Sequence, residues 1–254
     1  MSWLSQHGRE EVLLLNDAGL IALAHDGPMI DLMGLGTPDM TLAYRHGPGA
    51  IVETLARRRK LPVLAVVDLD LLRVPELLDR PLVPAAVPGA TVVAGVRRDL
   101  LAGTVLDGPG VDFGDLPGEE RAGVRWIHPP GQRQPSFALL LPGIPGAMHL
   151  EGCRPVFGSV GLKVPAGTRE IGVRAALLLE GRGALVARAG ERQGPGRATL
   201  GRAILGRDAW TEARMPWQDG GPDQVTYLWL TREGSSLPCL ESVRFAGIGA
   251  VAAN

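Results

Sequence analysis

The sequence is short of net charge, cysteine, lysine, aromatic rings and long apolar runs, and each shortage excludes something. Lys and Arg number 26 against 27 Asp and Glu, a formal net charge of −1. That balance gives no long-range pull toward nucleic acid or an anionic membrane. Only two of the basic residues are lysines, Lys60 and Lys163. The one concentrated basic patch, Arg57-Arg58-Arg59-Lys60, falls at the end of an expected helix, where cations favour the negative end of the dipole. No apolar run reaches the roughly 18–20 residues that a membrane helix needs. The longest, 137–150, is broken by two prolines and two glycines. Residues 1–7 carry neither a basic nor an apolar region, so no signal peptide is expected in the chain as written.

The two cysteines, Cys153 and Cys239, are too few for a disulfide scaffold and are not spaced for zinc. Each falls near an expected strand, at opposite ends of the second half. A Cys153–Cys239 disulfide and a pair of buried thiols both stand as readings. No metal and no cofactor is expected. No G-x-G-x-x-G or Walker pattern occurs. Gly158-Ser159-Val160-Gly161 is one residue short of a serine-nucleophile elbow and lies in an all-β stretch.

What is present is enough apolar residue, 45% of 254, for one large domain or two ordinary ones. Residues 2–7 read as a short helix, and 11–15, 20–24 and 29–32 as short strands separated by turns. A helical stretch follows Pro38, and an amphipathic helix starts at Ile51. Residues 61–67 are the clearest buried strand. Helix followed by such a strand is an α/β signature. A further helix is expected at 71–78, a strand at 91–101 and a loop at 107–120. From residue 136 the pattern changes to short apolar strands between Gly/Pro turns, one of them at Gly194-Pro195-Gly196. That rhythm fits a β-sandwich of jelly-roll type. The expected fold is α+β with two domains, a small α/β domain over 1–125 and a jelly-roll-like β-sandwich over 130–254.

The most specific pattern is Asn16-Asp17-Ala18-Gly19, a short strand, then Ile30-Asp31-Leu32-Met33-Gly34-Leu35 and Pro38. It resembles the extracytoplasmic C-terminal region of bacterial GT-C membrane glycosyltransferases, which use polyprenyl-phosphate-linked sugars. The resemblance covers about residues 1–70 and is firmest over 12–38. Trp3-Leu4 falls where that family has a "WL" helix, and residues 51–59 and 62–67 match its next helix and strand. The membrane helices and the loop with the family's catalytic acid have no counterpart here. The resemblance therefore implies a non-catalytic extracytoplasmic module that recognises a glycan or polyprenyl-linked sugar, or docks on a membrane glycosyltransferase.

Candidate residues follow from both halves. Asn16, Asp17, Gly19, His25, Asp31, Gly34 and Arg45 could line a pocket at the strand ends, where α/β sheets place ligands. Asp17 and Asp31 could equally tie their own turns, and the glycines permit φ > 0. A soluble carbohydrate-active hydrolase or transferase using Asp17 and Asp31 is the enzymatic alternative, and it needs the two carboxylates to converge. A purely structural interaction domain is the third reading. In the sandwich, Trp217 beside a loop is the expected exposed aromatic, with Arg214, Gln218, Asp219 and Arg232 as polar contacts. Trp229, in an apolar strand, is expected in the core.

Overall fold

The computed structural model describes residues 11–16, 19, 25–83, 91–101, 106, 108–132, 137–140, 150–207, 209–217 and 226–247. The helix expected at 2–7, the strand at 20–24, and Trp3, Asp17, Gln218 and Asp219 lie outside the described residues. The chain divides into two compact units, 1–105 with 148–152, and 106–147 with 153–254.

In the first unit, β1 (Leu13–Leu15) runs parallel to β2 (Met29–Asp31) on one side and β3 (Leu64–Asp68) on the other. All three leucines of β1 are fully buried. A short run apolar at every position is what a strand covered on both faces requires. Helices α1 (Pro38–Arg45) and α2 (Pro48–Ala56) occupy the connection from β2 to β3. Each begins with a proline in its first turn, where the missing N–H costs no hydrogen bond. Two antiparallel strands, β4 (Leu78–Val83) and β5 (Thr91–Val96), complete a sheet of order β2-β1-β3-β5-β4.

The second unit is a two-sheet sandwich. Its elements are β6 (Gly110–Asp112), α3 (Leu116–Arg121), β7 (Arg125–Ile127), β8 (Leu139–Leu140), β9 (Gly152–Pro155) and β10 (Ser159–Lys163). There follow β11 (Glu170–Leu177), β12 (Gly183–Glu191), β13 (Gly194–Leu205), β14 (Thr211–Pro216), β15 (Tyr227–Gly234) and β16 (Pro238–Ala246). One sheet has the order β13-β12-β15-β10-β7, the other β14-β11-β16-β9-β8, with β6 also paired to β16. Inward residues from both sheets, among them Leu162, Val173, Leu185, Leu230 and Phe245, form one core. Cys153 on β9 and Cys239 on β16 are joined by a disulfide, their Cα atoms 5.5 Å apart.

The expected α+β architecture is not found. Among the described residues the chain has sixteen strands in three sheets, against three α-helices of eight, nine and six residues. The helix expected at 71–78 is a single 3-10 turn, Pro75–Leu77, running into β4. Pro75 removes an N–H and clashes with the preceding turn, so a helix cannot run through it. The loop expected at 107–120 contains β6 and α3, and both belong to the sandwich. The division consequently falls after residue 105 rather than near 125–130. The turn expected at Gly194-Pro195-Gly196 is instead the start of β13. Added Cβ atoms at Gly190 and Gly196 would come within 2.4 Å of backbone carbonyl oxygens. Those glycines therefore serve the close crossing of β12 and β13, not a turn.

Candidate ligand-binding face

The first-unit motif resolves into architecture. Asn16 lies just past β1 and is 1% exposed. Its Nδ2 donates to the Asp68 carbonyl at 2.6 Å, and its Oδ1 accepts the Asp68 N–H at 2.9 Å. A side-chain amide thus extends the β1–β3 ladder past Leu15. Asp31, at the end of β2, accepts the Met33 N–H through Oδ1 at 3.0 Å and the Gly36 N–H through Oδ2 at 2.9 Å. Both oxygens tie the loop around Gly34, which has φ +85°. The carboxylate of Asp31 is thus engaged by its own loop, and Asp17 lies outside the described residues.

The remaining motif candidates among the described residues are His25, Arg45 and Gly19. His25 is 5% exposed, and its Nε2 has no hydrogen-bond partner among the described residues. Arg45 is exposed in the last turn of α1, and Gly19 is exposed.

Of the sandwich candidates, Trp217 is not exposed. It is 4% exposed and part of the core, because the chain turns inward after β14 and the Trp217 N–H donates to the Arg169 carbonyl. Trp229 is buried as expected, but on the face opposite the core residues Leu228 and Leu230. Its ring lies against Gly161, and its Nε1 donates to the Glu191 carbonyl at 2.8 Å. Arg232 donates to the carbonyls of Ser235 and Ser236 and holds the β15–β16 turn. It therefore has a different task from Arg214, and Gln218 and Asp219 lie outside the described residues.

Arg214 belongs to another group, which the sequence reading did not assemble. β14, β11 and β16 lie side by side, with Gly172 of β11 opposite both Arg214 and Arg244. Two register steps on, Arg174 lies opposite Glu212 and Ser242. Ile171, Val173, Met215, Val243 and Phe245 point into the core. Strand alternation therefore sends Gly172, Arg174, Glu212, Arg214 and Arg244 outward. The result is a recess of about 80 Å³ on the sheet face. That space admits a group of a few heavy atoms and not a whole sugar ring. Gly172 makes the notch: a Cβ there would be only in ordinary contact, 3.7 Å from the Arg244 Cβ. Glycine at this position leaves room and is not forced by the backbone.

Arg214 and Arg244 beside the recess are loosely held. Arg174 Nε is 3.7 Å from Glu212, and Arg214 Nη1 is 3.8 Å from Glu170. Both separations exceed hydrogen-bond length, and exposed pairs of this kind contribute little. Arg244 is exposed and has no ion-pair partner among the described residues. The Arg174 guanidinium lies 5.3 Å from the ring centre of Trp210, which is half-buried. The signal was a polar or glycine position between core positions at period two, in Ile171-Gly172-Val173-Arg174, Glu212-Ala213-Arg214-Met215 and Val243-Arg244-Phe245.

A second charged group lies inside the sandwich. Arg154 Nη1 donates to both oxygens of Glu119, at 3.0 and 3.1 Å, and both residues are buried. The Arg154 guanidinium is 5.1 Å from the Trp126 ring centre, and Trp126 meets Phe113 edge-on at 6.0 Å. Burial pushes the Glu119 carboxyl up to about 8, and Arg154 and a hydrogen bond from Trp126 only partly oppose it. The buried, bidentate pair ties α3 to β9 within the sandwich.

Comparison with known proteins adds one family and several solved structures. The family model described as "Domain of unknown function (DUF8728)" matches residues 1–103. No curated protein matches the chain. A family 6 carbohydrate-binding module, dissected by crystallography and calorimetry, is 11% identical, with a TM-score of 0.29. The match covers 43% of this chain and 82% of that one. A module from Clostridium stercorarium in complex with cellobiose is 16% identical, with a TM-score of 0.29, over 42% of this chain and 80% of that one. A family 43 arabinoxylan arabinofuranohydrolase from Bacillus subtilis, in complex with cellotetraose, is 16% identical, with a TM-score of 0.28, over 44% of this chain and 25% of that one.

Proposed function

We propose that the chain is a non-catalytic recognition module and that its second unit binds a glycan on the outer face of β14, β11 and β16. The observation that supports this is the notch over Gly172, walled by Arg214 and Arg244 and flanked by Arg174 on Trp210. Saccharides are held by hydrogen bonds to their hydroxyls and by a ring face laid on an aromatic side chain. This face offers forked donors and one half-buried indole. The notch takes a substituent, and the ring lies across the surrounding sheet.

The disulfide supports an oxidising, extracytoplasmic setting, since such bonds persist there and are rare in the cytosol. The resemblance over residues 12–38 supports a place beside a membrane glycosyltransferase that uses polyprenyl-linked sugars. A second reading, of the first unit as a docking surface, draws on its exposed apolar side chains, with Leu35 91% exposed and Leu42, Leu69 and Leu71 also exposed. A Leu35→Asp variant that keeps its melting temperature and every partner removes that reading.

The test of the leading reading is calorimetry of the full chain against a panel of neutral and acidic oligosaccharides. The account expects binding that the Arg214→Ala, Arg244→Ala double variant loses. No binding by well-folded protein to any member of the panel overturns it.

A further inference from the structure

We infer that the recess over Gly172 selects an anionic saccharide, seating its acidic group between Arg214 and Arg244. This rests on the reading of the same face as a glycan site and adds the chemistry of the ligand.

The argument is from charge, geometry and size. Arg174, Arg214, Arg244 and Glu212 line the recess, and Glu170 of β11 lies beside Arg214. The two contacts between these groups are 3.7 and 3.8 Å long. Glu170 does not hold Arg214 in hydrogen-bond geometry. Arg244 has no carboxylate at all among the described residues. Arg214 and Arg244, on either side of the notch, are thus guanidiniums without a hydrogen-bonded carboxylate among the described residues. Gly172 lies opposite Arg214 on one side and Arg244 on the other, so both forks flank the one position without a side chain. Guanidinium forks match the paired oxygens of a carboxylate and equally those of a sulfate or phosphate ester. A volume of about 80 Å³ fits such a group and not the ring that carries it. A neutral hydroxymethyl group would fit the space and leave both forks without an acceptor for their charge.

The shared chemistry is thus an acidic substituent on a sugar, a uronate carboxylate or a charged ester. Calorimetry of the full chain with three probes of matched length separates the sources: an oligogalacturonate, a sulfated galacto-oligosaccharide and a neutral galacto-oligosaccharide. One or both acidic probes bind at least about tenfold more tightly than the neutral one, the worth of a charge-assisted hydrogen bond. Which of the two binds identifies the acid. Arg244→Ala removes that preference, and Arg244→Lys restores only part of it, because an ammonium keeps the charge without the fork. Gly172→Ala, which the backbone accommodates, weakens acidic binding by filling the notch. Raising the salt concentration weakens acidic binding and leaves neutral binding in place.

Equal affinity for neutral and acidic probes overturns this inference and leaves the glycan reading standing. Acidic binding unchanged in Arg214→Ala and Arg244→Ala also overturns it, by moving the site elsewhere. No binding of any saccharide overturns the glycan reading itself.

Discussion

The side chain of Asn16 pairs with the backbone of Asp68 in both directions, donating to its carbonyl at 2.6 Å and accepting its N–H at 2.9 Å. A buried asparagine here does what one more backbone rung would do. Asn16→Ala leaves two polar backbone groups of Asp68 without partners and costs about 1–3 kcal/mol. Asn16→Asp keeps the acceptor, loses the donor and sets a carboxylate against a carbonyl, so it is no milder. Denaturant unfolding of the two variants checks this, and wild-type stability in either contradicts the architectural role.

Gly34 is bound to its conformation twice over. Its φ is +85°, and an added Cβ would come within 2.1 Å of the Thr41 hydroxyl and 2.3 Å of the Thr41 backbone nitrogen. Thr41 itself donates to the Gly34 carbonyl at 3.0 Å, so the contact cannot open freely. Gly34→Ala costs more than the roughly 1 kcal/mol of an unfavourable φ alone. Thermal unfolding checks this, and a Thr41→Ala background relieves only the hydroxyl contact, leaving the backbone clash and the φ cost in place.

The Glu119–Arg154 pair carries a pH dependence with a definite sign. Burial raises the carboxyl from 4.5 to about 8. A group raised in the folded state contributes stability that is fully present below the unfolded value and is lost as pH climbs through the folded one. This residue therefore lowers stability progressively between about pH 4.5 and 8. Glu119→Gln, a neutral acceptor of the same shape, removes that slope. Glu119→Ala leaves Arg154 buried without its partner and costs about 3–5 kcal/mol. Melting curves of the three proteins across this pH range provide the check.

The Cys153–Cys239 bridge closes a loop across 86 residues of sequence separation and is fully buried. The double Cys→Ser variant is destabilised by about 2–5 kcal/mol. The melting temperature of the native chain falls with reductant, and that of the variant does not.

The β-sandwich was legible because its strands show apolar alternation between Gly/Pro turns. That alternation is plain in β10, β11 and β14. β6 was missed because Gly110–Asp112 has only one apolar residue and takes its place from pairing with β16. The all-α/β reading of the first unit failed for a similar reason. The helix-then-strand pattern at 51–67 is present, but the antiparallel strands β4 and β5 follow it, and long-range pairing decided them.

The candidate site was legible only at Arg214. Its partners Gly172 and Arg174 on β11 and Arg244 on β16 lie up to 72 positions apart in the sequence, from 172 to 244, and the register that aligns them is a tertiary property. Trp217 misled because a loop-flanking tryptophan looks the same in sequence whether it turns outward or, as here, into the core.

The most direct measurement of the central claim is a titration of ¹⁵N-labelled full-length protein with an acidic oligosaccharide, followed amide by amide. The account predicts saturable shifts concentrated at Gly172, Arg174, Arg214 and Arg244, absent in the Arg214→Ala, Arg244→Ala protein. Shifts centred away from β14, β11 and β16, or none at saturating ligand, contradict it.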